Sequence, residues 1–98
     1  MWALPYIEKL KQNETVQFRP RGHSMRPRIK SGELVTVSPD VSEIQPDDIV
    51  LCKVKGRYYV HLVQAVNQGR YKIGNMRNFT NGTIGIEAIF GKVIKVEP

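Results

Sequence analysis

Hydrophobic and polar positions along the chain change period after the first dozen residues. In Leu4 to Gln12 the apolar residues Leu4, Ile7 and Leu10 recur at helical spacing, and Pro5 falls in the first turn, where its missing N–H does no harm. This predicts a helix of about two turns. From Thr15 onward the period becomes two. Thr15-Val16-Gln17-Phe18-Arg19 alternates, and Leu34 to Ser38, Ile49 to Lys55, Tyr58 to Val66, Arg70 to Ile73, Thr83 to Ile86 and Ala88 to Val96 all read as strands. Turn signals separate them at Ser31-Gly32, Gly56-Arg57, Asn67-Gln68-Gly69 and Asn81-Gly82, the last being the kind of pair that closes a type I′ hairpin. Short strands spaced by turns, with no alternating helices, predict a mainly β fold: an antiparallel sheet or partly open barrel with a short N-terminal helix. No internal repeat, low-complexity tract or composition shift divides the chain, so residues 1–98 read as a single domain.

Between the first alternating segment and Leu34 lies a stretch with neither period: Gly22-His23-Ser24-Met25-Arg26-Pro27, then Ile29, then Ser31-Gly32-Glu33-Leu34-Val35-Thr36-Val37. It sets one serine between a flexible glycine and a φ-fixing proline just ahead of a strand, which puts the hydroxyl at the rim of the β-structure. A serine hydroxyl is a weak nucleophile until a neighbouring base takes its proton, and a histidine, neutral above a pKa of about 6.5, suits that task. The chain has two histidines. His23 adjoins Ser24, and successive residues of an extended segment project in opposite directions, so it reads as a substrate contact or as plainly exposed. His61 lies within the Tyr58 to Val66 strand. The plain alternative makes Ser24 a turn hydroxyl bonded to its own loop and His61 a half-buried strand residue.

The serine stretch resembles the serine motif of the S24/S26 peptidase superfamily, which comprises LexA-like and UmuD-like self-cleaving proteins and type I signal peptidases. Glu33 stands where that motif usually has Asp. The resemblance continues in order. Asp47-Asp48-Ile49-Val50-Leu51-Cys52-Lys53-Val54 is similar to the second Gly-Asp-hydrophobic-Val strand, and Tyr58-Tyr59-Val60-His61-Leu62-Val63 to the strand bearing the general base. Tyr71-Lys72-Ile73-Gly74-Asn75-Met76-Arg77-Asn78 occupies the place of the Gly-Asp-Asn-Asn segment, and Ile89-Phe90-Gly91-Lys92-Val93-Ile94 that of the closing strand. His61 follows Ser24 by 37 positions, a separation that fits the superfamily's serine-to-base spacing.

The resemblance implies a LexA/signal-peptidase-like catalytic core of the histidine-base kind, with Ser24 as nucleophile and His61 as base. It also implies an oxyanion site built from backbone N–H groups near Ser24 and Met25. Gly22 offers no hydroxyl for that purpose, Met25 reads as a hydrophobic wall, and Pro27 completes the substrate-binding loop. The third member departs from the pattern: the residues in place of the orienting aspartate are Asn75, Asn78 and Asn81, and none is acidic. Asn75 fills the aspartate's position and is the expected orienting residue, whereas Asn81 reads as structural within its turn. An asparagine orients a histidine without stabilising the imidazolium by a full charge, a change that costs about ten thousand-fold in the serine-triad example. Turnover is then expected to be slow, substrate-limited or lost. The substrate implied is an extended protein or peptide segment laid along a sheet edge, with small side chains near the cleaved bond. No Ala-Gly pair precedes the serine, so that segment is expected to belong to another chain.

Composition narrows the setting. The chain has 98 residues, 41% of them hydrophobic, enough for one modest core without disulfides, and the lone Cys52 reads as a small buried residue. No apolar stretch is long enough to span a bilayer, and Met1-Trp2-Ala3-Leu4-Pro5 is a poor signal peptide; the expectation is a cytoplasmic protein without a membrane anchor. The segment before Ser24 is also too short for the DNA-binding domain of LexA-like repressors. Nothing calls for a cofactor or a metal. Fifteen Lys and Arg against nine acids give +6, with Arg19, Arg21, Arg26, Arg28 and Lys30 around the serine. That clustering supports an alternative of a different class: a catalytically impaired peptidase fold binding an acidic protein or, weakly, nucleic acid. Phe90 to Val96 reads either as a homodimer strand or as an internal closing strand.

Overall fold

The computed structural model describes all 98 residues, Met1 to Pro98. One α-helix, Leu4–Lys11 (α1), precedes seven strands: Val16–Phe18 (β1), Leu34–Ser38 (β2), Ile49–Val54 (β3), Arg57–Asn67 (β4), Arg70–Gly74 (β5), Thr80–Ile84 (β6) and Ile89–Glu97 (β7). Ile7 and Leu10 bury one side of α1, and Lys9 and Lys11 sit in its last turn, where a cation suits the negative end of the helix dipole. The strands form one sheet in the order β1-β2-β7-β3-β4-β5-β6, with every neighbouring pair antiparallel.

Two cores lie on the two faces of this sheet, and β3 supplies both. Its apolar run Ile49-Val50-Leu51-Cys52 is buried throughout because alternate side chains enter different clusters. Ile49 and Leu51 pack with Ile7, Leu10, Phe18 and Val35 under α1, while Val50 and Cys52 pack with Val63, Ile73 and Ile84 on the opposite face. Complete burial pushes the Cys52 thiol up to about 12, as a small core residue requires. The far end of the sheet curls over so that β6 returns to β3, where Val54 leaves no room for a side chain at Gly82. The mainly β, partly open architecture with a short N-terminal helix is the one the periodicity predicts. No helix is long and apolar enough to cross a membrane.

Two local expectations are corrected. Asn81-Gly82 is not a turn: both residues lie within β6, and that strand begins at Thr80 rather than Thr83. The chain reverses earlier, between Asn75 and Phe79, because the Asn75 side-chain carbonyl accepts the N–H groups of Arg77 (2.8 Å) and Phe79 (3.1 Å). Asn78 there takes φ +67°, a conformation asparagine tolerates. Next, Ile86–Ala88 forms a single 3-10 turn, so the last strand opens at Ile89. Of the two readings of Phe90 to Val96, the internal one fits: β7 lies between β2 and β3, although Ile94 remains exposed.

Core placement makes a direct prediction. Leu51→Ala removes a fully buried side chain from the central strand and should destabilise the fold by about 3 kcal/mol, whereas Ile94→Ala, at a side chain 60% exposed on the neighbouring strand, should change stability by less than about 1 kcal/mol. Urea unfolding followed by circular dichroism measures both.

Candidate active site

The loop from Arg19 to Glu33 is irregular yet tightly tied. Gly32 N–H donates to the Pro20 carbonyl (3.0 Å), and Arg19 Nη1 donates to the Gly32 carbonyl (2.8 Å). Gly22 N–H donates to Ser31 Oγ (3.1 Å), with Gly22 at φ +116°, a conformation open to glycine alone. Met25 and Ile29 enter the core beneath α1, linked by an Ile29 N–H to Met25 carbonyl bond of 2.9 Å. Ser24 lies between these anchors. Its own carbonyl accepts Met76 N–H at 3.0 Å, which fastens the serine to the β5–β6 loop.

Ser24 Oγ is 3.1 Å from His61 Nε2. On the other side of the ring, His61 Nδ1 is 2.7 Å from Asn81 Oδ1. A carboxamide oxygen accepts only, so Nδ1 carries the proton, Nε2 presents its lone pair, and the Ser24 hydroxyl donates to it. The imidazole is only 8% exposed, and Tyr59, two residues earlier on the same face of β4, stacks on it at 4.7 Å between ring centroids. Burial holds the His61 pKa below its ordinary 6.5, and the bond to Asn81 offsets part of that depression. Since the folded value is the lower one, the stabilisation from neutral His61 is complete above about 6.5 and is lost as pH falls through the folded value.

Asn81 reaches the ring through a β-bulge. Ile73 pairs with Gly82 and Gly74 with Thr80, which leaves Asn81 as the extra residue on β6. A second bulge lies opposite: Val63 pairs with Ile73 and Ala65 with Lys72, leaving Gln64 unpaired on β4. The Gln64 amide spans the two, donating from Nε2 to the Phe79 carbonyl (3.0 Å) and accepting at Oε1 from Thr80 Oγ1 (2.8 Å). It crosses directly over Gly74, where a Cβ would collide with both the Gln64 amide and the Phe79 carbonyl. Gln64 and Gly74 are supporting residues that sequence reasoning missed; the only sequence trace is a glycine ending an otherwise regular strand.

The remaining site expectations divide. Ser24 and His61 are brought together, and Gly22, Met25 and Asn75 line the same cavity of about 820 Å³. Pro27 is exposed and lies outside the cavity lining, and His23 is exposed. Asn75 does not hold the histidine: its side-chain oxygen is consumed by its own turn, and Asn81 takes the place expected of it. No group of three or more His, Cys, Asp or Glu side chains converges anywhere in the chain.

A protein-family model described as Peptidase S24-like matches residues 3–94 of the chain. Comparisons with curated proteins and with solved structures returned no match.

The geometry predicts that nitrogen NMR of the neutral form finds His61 protonated at Nδ1, with a titration midpoint below 6.5. Asn81→Ala should abolish that tautomer preference, and Asn75→Ala should preserve it. The opposite pattern would return the orienting role to Asn75.

Proposed function

Because the chain belongs to the Peptidase S24-like family, we propose that it is a serine endopeptidase acting on an extended peptide of another chain, with Ser24 as nucleophile, His61 as general base and Asn81 as the residue that orients the base. The observation carrying this reading is the continuous Ser24–His61–Asn81 hydrogen-bond relay of 3.1 and 2.7 Å. His61 Nε2 takes the hydroxyl proton as Ser24 Oγ adds to the scissile carbonyl, and the imidazolium then gives that proton to the leaving amine as the C–N bond breaks. Water, deprotonated by the same nitrogen, adds to the acyl-enzyme, and collapse of the adduct frees Ser24. The backbone N–H groups of Ser24 and Met25 form no bond to the chain's own carbonyls and suit the developing oxyanion.

The segments Leu4–Lys11 and Val16–Phe18 are held in α1 and β1, so neither is free to lie in the site as substrate. With a neutral asparagine behind the base, turnover is slow. A second reading has one observation in its favour: the loop cations Arg19, Arg21, Arg26, Arg28 and Lys30 form no ion pair, the pairs in the chain being Lys92–Asp48 and Lys95–Glu97. On that reading the basic loop binds an acidic partner and the relay is idle.

Fluorophosphonate labelling followed by peptide mass mapping decides between them: modification is expected at Ser24 and lost in His61→Ala. Hydrolysis of a peptide library should vanish in Ser24→Ala, rise at least about ten-fold in Asn81→Asp as a full charge meets the imidazolium, and stay unchanged in Asn75→Asp. The acid limb of kcat/KM should fall below pH 6.5, following the depressed His61 value. An unlabelled Ser24 in folded protein, together with a Ser24→Ala variant that keeps full cellular function, would establish the binding reading.

A further inference from the structure

We propose that the cavity beside Ser24 selects peptides carrying a large apolar or aromatic side chain with an acidic residue two positions from it. This deepens the peptidase reading, and rests on it only for placing the scissile bond at Ser24. The cavity extends well beyond the relay. Toward the helix its wall is Trp2, Tyr6, Phe18, Met25, Ile29 and Tyr58. Tyr6 stacks on Phe18 at 4.5 Å between centroids, and Trp2 leans on the same ring at 5.7 Å while remaining 47% exposed. Trp2, two residues ahead of α1, and Tyr6 on its first turn thus present apolar surface to the cavity over the buried ring of Phe18, continuous with the nucleophile. A small side chain would leave most of that surface wet; an aromatic or large aliphatic one would cover it.

Charge determines the neighbouring residue. Arg19 and Arg21 follow Phe18 along the cavity rim, no Asp or Glu lines the cavity, and neither arginine forms an ion pair. The bond from Arg19 Nη1 to the Gly32 carbonyl fixes that guanidinium in place, while Arg21 is exposed. A substrate carboxylate is the partner such a rim lacks, and beside an apolar wall its charge-assisted bonds to guanidinium are less screened than in open water. Side chains of an extended peptide alternate, so an acidic residue two positions from the apolar anchor points to the same side and reaches the rim while the anchor rests on the rings.

The test uses the full chain carrying Ser24→Ala, so that binding is read without turnover. Trp2 is its single tryptophan and stands in the proposed wall, which makes its fluorescence the reporter. A hexapeptide with Phe and Asp two positions apart should shift Trp2 emission and bind at least ten-fold tighter than its Phe→Ala or Asp→Lys counterparts, with the charge preference shrinking in half-molar salt. Arg21→Glu in the same background should invert the Asp-over-Lys preference. Equal affinity for the three peptides, an Asp preference that survives Arg21→Glu, or an absent Trp2 response would each overturn the proposal. Tight, selective binding by a wild-type protein that never cleaves would instead remove the peptidase reading and leave this one standing. Cleavage without such selectivity would do the reverse.

Discussion

A buried imidazole needs partners on both ring nitrogens, since leaving either unpaired costs about 1–3 kcal/mol. His61 meets that requirement with residues 37 positions before it and 20 after it. The requirement therefore binds three separate parts of the chain: the serine loop, the middle of β4 and the edge strand β6. The Met76 N–H to Ser24 carbonyl bond closes the circuit between the first and the third. Displacing any one of them strands a polar atom of His61 in a place where water scarcely reaches.

Regular strands would not deliver this geometry. Side chains on β6 alternate strictly unless an extra residue is inserted, and Asn81 is that residue. Its bulge persists because Gln64, itself a bulge residue on β4, holds the Phe79 carbonyl and the Thr80 hydroxyl across the bare Cα of Gly74. Two irregularities in neighbouring strand pairs brace each other, and the paired strands between them keep the register that aims both.

Most of the architecture was legible because it rests on short-range patterns. The apolar spacing of α1 and the alternation in β1, β2 and β4 report directly which side chains face a core, and the unbroken apolar run of β3 follows from a core on each face. The serine and its base were legible because ordered segments around Ser24 and His61 resemble a known framework. The orienting residue was misread for a physical reason. Asn-Gly is the strongest short-range hairpin signal, and nothing local shows that a loop nucleated by Asn75 has already reversed the chain. Asn81 owes its role to Gln64, Gly74 and the register of two strand pairs, all of them tertiary facts.

The neutral third member has a structural counterpart to its catalytic cost. An aspartate at position 81 would stabilise the imidazolium, but in the resting protein it would set a partly desolvated carboxylate against a neutral ring, and a charge without a full partner is expensive in such a place. Asparagine makes the same bond to Nδ1 with no net charge, so the resting relay is satisfied at small energetic cost and His61 stays unprotonated through the neutral range. In the proposed reaction the penalty falls at the moment of proton transfer, when a cation forms against a dipole rather than an anion. A relay of this composition is held firmly in its ground state and stabilises its transition state weakly, so its rate depends on how well the substrate is positioned before the proton moves. In the proposed reaction, that positioning would fall to the cavity wall and its basic rim.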